Sequence, residues 1–459
     1  MKKKFLLMLS FLLLSLSFAG CSLNFADTQT LMAPPKSNAD QQDIYALLQA
    51  DFSKIIFIYP KTGEYRSAIT YKSFTEQESP DAIGFTLLET GSAEIHFMTK
   101  REGEWEQISR FENASTQVDR IAFGDVTGDG IDDVIVGWGN TQNMMSASVS
   151  VYYYSDNDYK IHEIILPPKY GDMTITDFDE NGIMELFLLE RPVVAEDETM
   201  EDVPAKASIF SMGKGEVSLR SAIEADSSVT RFSSVLFGKI SEDANAVFVD
   251  GVKADGSGIM QIFLCDENGK LERYMQNLGE GKTDPFLGPV GANFTARDIN
   301  QDGIIEFPIV TTLPNLSDPP ATPDSTSFWV DWSVYTDNEA GYRTLFPGLM
   351  NITEGYWFKP TERLRDKITA VNDTTMRSVT YYTVITQGTK KKPEQRLGSA
   401  LFRIRVFTVT SWKQRGEIAG YEKLAEHSGQ VYGILKLTSA PQYSMTLNRI
   451  HSSFELITD

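Results

Sequence analysis

Three short stretches of this chain space oxygen-bearing side chains in a way that suits one kind of chemistry, the wrapping of a hard divalent cation. The first is Asp125-Val126-Thr127-Gly128-Asp129-Gly130-Ile131-Asp132-Asp133, with side-chain oxygens at its first, third, fifth and ninth positions. A glycine at the sixth position permits a sharp backbone turn, and the seventh residue can offer its carbonyl. The pattern returns at Asp177-Phe178-Asp179-Glu180-Asn181-Gly182-Ile183-Met184-Glu185 and at Asp298-Ile299-Asn300-Gln301-Asp302-Gly303-Ile304-Ile305-Glu306. The expected ligands are Asp125, Thr127, Asp129, Ile131 and Asp133 in the first loop, and Asp177, Asp179, Asn181, Ile183 and Glu185 in the second. In the third they are Asp298, Asn300, Asp302, Ile304 and Glu306. The expected ion is Ca²⁺, which takes roughly 6 to 8 oxygens. One such loop alone reads as an acidic surface turn; three with shared spacing, glycine and a following apolar run read as metal loops.

An EF-hand would place a bidentate Glu at the twelfth loop position, between helices. Here the twelfth positions are Val136, Leu188 and Ile309, and the flanks Ile121-Ala122-Phe123 and Val134-Ile135-Val136 read as short strands. The loops therefore join strands, and the ninth-position carboxylate closes each one.

Two further copies of the loop have lost their ligands. Ser73-Phe74-Thr75-Glu76-Gln77-Glu78-Ser79-Pro80-Asp81 keeps the ninth-position Asp, while the stretch from Lys239 to Val247 keeps the preceding Phe237-Gly238, as in Phe123-Gly124, with Lys where the first ligand belongs. The five starts, 73, 125, 177, 239 and 298, are 52, 52, 62 and 59 residues apart. A period of that size marks repeated structural units. Each unit goes on to an alternating strand, a tight turn and a second strand: Glu94 to Met98 before Glu102-Gly103, Ser148 to Tyr154 before Asp156-Asn157, Ala207 to Phe210 before Gly213-Lys214-Gly215, Met260 to Leu264 before Glu267-Asn268-Gly269, and Trp329 to Tyr335 before Asp337-Asn338.

Strand, loop, strand and hairpin make four strands per unit, the composition of one β-propeller blade. The expected architecture is mainly β: a β-propeller of four-stranded blades over residues 43–347, with five visible repeats, and a smaller C-terminal α+β domain over 350–459. Ile55-Ile56-Phe57-Ile58-Tyr59 is expected to pair with the last blade and close the ring, and Thr446 to cap a helix running through Leu447, Ile450, Phe454 and Ile457. Residues 192–204 and 313–327 read as excursions from the scaffold.

Phe123-Gly124-Asp125 through Val134, with its two better-preserved siblings, resembles the FG-GAP or VCBS repeat. That family includes the propellers of integrin α subunits and many secreted bacterial proteins. The resemblance spans roughly residues 60–347 and implies Ca²⁺ in the loops as a structural cofactor. Thr127 departs from the Asn or Asp usual at the third position, which implies weaker binding in the first loop.

The chain begins with Lys2, Lys3 and Lys4, an apolar stretch over 5–16, then Ala19 and Gly20, the order of a signal peptide over 1–20. Phe18-Ala19-Gly20-Cys21 resembles the bacterial lipobox, which implies lipidation at Cys21, a polar tether over 21–42 and attachment to the outer face of the cell membrane. Each buried acyl methylene would contribute roughly 0.8 kcal/mol to that anchoring. Cys265 is then the remaining thiol, without an intramolecular partner, and reads as a buried small hydrophobe.

The formal charge is −21, and it becomes −24 once the three leader lysines are removed. Nucleic acid is thereby disfavoured as a partner. His96, His162, His427 and His451 are scattered, none at the spacing of a zinc helix, and no nucleophile motif or phosphate-cradling loop stands in a suitable context. Trp138, Trp329 and Trp332 are assigned to packing, and Lys390-Lys391-Lys392 to a solvated hairpin tip. The reading is a binding or scaffold protein at the cell surface, with an extracellular protein or carbohydrate as partner. The alternatives are a polysaccharide lyase-like enzyme and an accessory protein of envelope assembly.

Overall fold

The computed structural model describes residues 39–457 except 51–54, 76–79, 140–146, 167–169, 191–204, 214–215, 267–268, 275–283, 292–293, 321, 323–326, 337–340, 390–391 and 438–446. The expected signal peptide, Cys21, most of the tether and the excursion over 192–204 lie outside the described residues, as do Lys390, Lys391 and Thr446.

Apart from the final strand, each sheet is built from strands consecutive in the chain, because each unit is a run of short, alternating, β-branched and aromatic stretches joined by turns. Sheet 1 holds β1 (Ile56–Phe57), β2 (Ile69–Lys72), β3 (Asp81–Leu87), β4 (Ala93–Arg101) and β5 (Glu104–Asn113). Sheet 2 holds β6 (Gln117–Gly124), β7 (Asp133–Gly139), β8 (Ser148–Ser155) and β9 (Lys160–Ile165). Sheet 3 holds β10 (Tyr170–Thr176), β11 (Glu185–Glu190), β12 (Ala205–Gly213) and β13 (Glu216–Ala225). Sheet 4 holds β14 (Val229–Ser241), β15 (Ala244–Lys253), β16 (Ser257–Cys265), β17 (Leu271–Arg273) and β18 (Leu287–Val290), and sheet 5 opens with β19 (Phe307–Thr312), β20 (Ser327–Tyr335), β21 (Tyr342–Asn351) and β22 (Tyr356–Phe358). Sheet 6 holds β23 (Ile368–Asp373), β24 (Ser378–Thr389), β25 (Lys392–Thr408), β26 (Glu422–His427) and β27 (Gln430–Lys436), after which β28 (Glu455–Leu456) returns to pair with β22. All these pairings are antiparallel.

Side-chain alternation turns this order into a stack. On β7, Val134, Val136 and Trp138 pack with Phe85 and Phe97 of sheet 1, whereas Ile135 packs with Leu186 and Leu188 of sheet 3. On β11, Phe187 and Leu189 face Val247 and Val249 of sheet 4, and on β15 Phe248 faces Phe307 of sheet 5. Each central strand thus buries both faces, which explains its nearly unbroken apolar run.

The remaining face of sheet 1 carries Ile69, Ala82 and Met98, and these are covered by helix α1 (Ala39–Ala50) through Ile44 and Leu48. The helix therefore begins inside the stretch expected as tether. The N-terminal strand is a second correction: β1 pairs with β3 of its own sheet, Ile56 opposite Leu87, rather than with the last one. Its apolar residues are drawn to the nearest open edge in the chain, which costs less loop entropy than reaching a distant sheet.

β21 runs through residues 347–350 without a break, and Leu349, Tyr356 and Phe358 share a core with Ile368, Tyr381, Phe402 and Ile450. The last helix, α2 (Leu447–Ser453), stops before Phe454, because Glu455 and Leu456 are taken into the sheet as β28.

Asp250, mid-way along β15, is 2% exposed; its Oδ2 accepts the Ala296 N–H at 3.1 Å, and among the described residues its Oδ1 has no hydrogen-bond partner. Burial pushes this carboxyl up to about 7, from the ordinary value near 4. Between those values the folded chain binds the proton more tightly than the unfolded one, so stability falls as pH rises from about 4 to 7 and is level above. Asp250→Asn is expected to remove on the order of 2 kcal/mol of that decline. Urea unfolding of both proteins at pH 5 and pH 8 checks this, and parallel pH profiles would refute it.

Candidate metal centres

The three loops fold alike. The first-position carboxylate accepts the N–H groups of the fifth and sixth residues: Asp125 from Asp129 (3.1 Å) and Gly130 (2.8 Å), Asp177 from Asn181 (3.0 Å) and Gly182 (2.7 Å), Asp298 from Asp302 (3.1 Å) and Gly303 (2.8 Å). The fifth-position oxygen accepts the seventh N–H, in Asp129–Ile131 (2.9 Å), Asn181–Ile183 (2.7 Å) and Asp302–Ile304 (2.9 Å). Finally, the buried ninth-position carboxylate accepts the second N–H, in Asp133–Val126 (2.9 Å), Glu185–Phe178 (3.0 Å) and Glu306–Ile299 (2.9 Å). The sixth-position glycines sit at φ of +87°, +92° and +87°, which accounts for the residue type. The fourth position is left-handed as well, with Gly128 at +76° but Glu180 at +56° and Gln301 at +64°.

The loop at Ser73 keeps half of this frame. Asp81, fully buried, accepts from the backbone of Phe74 (3.0 Å) and Thr75 (2.9 Å) and from the hydroxyls of Thr75 (2.8 Å) and Thr99 (2.6 Å). At Lys239 there is no loop: β14 continues through Lys239 to Ser241, and a turn at Glu242-Asp243 leads directly into β15. Without an acid at the first position, nothing gathers the loop N–H groups, and strand pairing takes them.

Successive units join through the same backbone contact. The eighth-position N–H donates to the first-position carbonyl of the unit before, Met184 to Asp125 at 2.9 Å and Ile305 to Lys239 at 2.8 Å. The glycine of each Phe-Gly pair makes room for that joint, since a Cβ on Gly124 would lie 3.0 Å from Ile175 Cδ1 and one on Gly238 would lie 2.8 Å from Ile305 Cγ1.

Burial raises the Asp129, Glu185 and Glu306 carboxyls above their usual range and pushes Asp133 up to about 7. A divalent cation would relieve that cost. Loop 1 fits one: no described basic side chain pairs with Asp125, Asp129 or Asp133, and Lys72 reaches Asp132 instead, at 3.1 Å. Loop 3 fits too. There the neutral amide of Asn300 bridges Asp302 (2.9 Å) and Glu306 (2.7 Å), and a side-chain rotation frees both carboxylates. Loop 2 differs, because Arg220 of β13 donates to Asp179 at 2.8 Å and to Glu185 at 2.5 Å. Nothing in the local sequence marks Arg220, which stands 35 residues beyond Glu185 and meets it only through sheet pairing. Among the described residues, Asp177, Asp179 and Glu185 form the one group of three metal-ligating side chains whose ligand atoms lie within 4.8 Å of one another.

Trp138, Trp329 and Trp332 are all buried, as packing required. Cys265 is buried as well, and burial pushes its thiol up to about 12. His96 is enclosed and bonds to Thr86 and Gln107, each at 2.8 Å. A cleft beside loop 2 is lined by Asp179, Glu180, Asp243, Asp266, Glu272 and Lys270. No protein-family model and no curated protein matches the chain, so the repeat resemblance rests on its residues alone.

Proposed function

We propose that this chain is a lipid-anchored, extracytoplasmic binding or scaffold protein whose stacked sheets are propeller-type blades stiffened by structural Ca²⁺. The observation that carries the reading is the shared hydrogen-bond frame of the three acidic loops, each leading directly into a strand of a different sheet. Such a frame fixes the loop backbone before any ion arrives, which lowers the ordering cost of binding. The leader pattern and the Phe18-Ala19-Gly20-Cys21 stretch support lipidation at Cys21 and attachment to the outer face of the membrane. The acid-lined cleft beside loop 2 suits a cationic segment of an extracellular partner, or a carbohydrate, better than a polyanion.

A metal bound only to the folded state would add about 1.4 kcal/mol per site when free Ca²⁺ is about tenfold above its dissociation constant. Extracellular modules bind in the range of about 10⁻⁴ to 10⁻³ M. Calorimetric titration of CaCl₂ into chelator-treated protein, with melting curves in parallel, is expected to show saturable binding and a raised Tm. An absence of heat together with an unchanged Tm would sink the Ca²⁺ reading.

A further inference from the structure

The three loops carry the same number of acidic ligands, three each: Asp125, Asp129 and Asp133; Asp177, Asp179 and Glu185; Asp298, Asp302 and Glu306. By acidic charge they are equivalent, although Thr127 stands at the third position of loop 1. What sets loop 2 apart is Arg220, and we propose that this residue is a built-in counter-ion that closes loop 2 to metal, leaving loops 1 and 3 to take up Ca²⁺. The inference rests on the Ca²⁺ reading of the loops.

The geometry is that of substitution. One guanidinium nitrogen lies 2.5 Å from Glu185 Oε1 and another 2.8 Å from Asp179 Oδ2, so the planar cation spans the ninth- and third-position ligands. To be held by those oxygens, a Ca²⁺ ion would have to lie about 2.3 to 2.6 Å from them. Ion and guanidinium cannot occupy that space together.

Three features hold the arginine in place. It projects from β13, bonded through β12 to β11, whose first residue is Glu185, so donor and acceptor belong to one rigid sheet. Glu185 is almost wholly enclosed, with its side chain 2% exposed, and Arg220 is 22% exposed, so solvent screens the pair only weakly. The backbone at Gly269 lies over the guanidinium: a Cβ there would come within 3.1 Å of Arg220 Cζ. An arginine, unlike a lysine, also keeps its charge at every pH the protein meets. Loop 3 has only the neutral, rotatable Asn300 amide between its acids, and loop 1 has no described basic partner for its ligands.

The test is a count of sites. Equilibrium dialysis of the full chain in detergent against CaCl₂ is expected to give two sites, and Arg220→Gln three. Three sites in the unaltered protein, or two in both, would overturn the role of Arg220. Zero in both would overturn the Ca²⁺ reading itself, so the two failures are distinguishable. A measurement that needs no variant is the amide spectrum of glycine-labelled protein during the same titration. Gly130 and Gly303 are expected to shift while Gly182 stays in place, and a comparable shift at Gly182 would refute the proposal even if Arg220→Gln did not fold.

Discussion

Asp81→Ala is expected to lower the unfolding free energy by about 3–5 kcal/mol, equally in Ca²⁺ and in chelator. The carboxylate it removes is fully buried and accepts from four groups, the Phe74 and Thr75 amides and the Thr75 and Thr99 hydroxyls. Each such donor left without an acceptor costs about 1–3 kcal/mol, and the relief of no longer burying a charge offsets part of the sum. This loop has no acid at its first, third or fifth position in Ser73, Thr75 and Gln77. A metal therefore has no claim on it, and the loss should not depend on Ca²⁺. Urea unfolding in CaCl₂ and in chelator is the check. A loss that appears only with Ca²⁺ would mean that the first unit holds an ion, against the ligand spacing.

Asp81 also shows which parts of the molecule the sequence could disclose. The ninth-position acid does the same work in four units, whether or not its neighbours are ligands, and a pattern that survives the loss of its partners can be found by spacing alone. The Phe-Gly pair is legible for a similar reason, since Gly124 and Gly238 are required by the next unit's residue pressing on them. Lys239 shows the limit. The repeat phase is right there, but spacing does not reveal that a strand runs on where a loop was due, because the outcome depends on whether an acid collects the backbone N–H groups. β1 and Arg220 were illegible for a different reason. Their partners, Leu87 and Glu185, are set by which edge or neighbouring strand lies nearest in space, and no local pattern records that.

Asp298→Ala should separate the frame from the ion. In chelator the change removes the acceptor of the Asp302 and Gly303 amides, at 3.1 and 2.8 Å, in an exposed loop where water can replace part of the loss. A cost of about 1–2 kcal/mol is expected. In Ca²⁺ at about tenfold above its dissociation constant, the lost binding adds about 1.4 kcal/mol, so the gap to the unaltered protein widens to roughly 3 kcal/mol. Asp177→Ala strips the same two amides, of Asn181 and Gly182, in loop 2. With Arg220 already on Asp179 and Glu185, its cost should be about the same 1–2 kcal/mol with and without Ca²⁺. Lys239→Ala should leave the binding heat untouched, because Lys239 lies in a strand and its ammonium bonds only loosely, at 3.5 Å, to the Glu242 carbonyl. Paired denaturation curves for the three variants decide the matter: a Ca²⁺-dependent gap in Asp298→Ala alone places the ion in loop 3. The same gap in Asp177→Ala would show that metal displaces the arginine, and equal gaps in all three would remove the loops from consideration as metal sites.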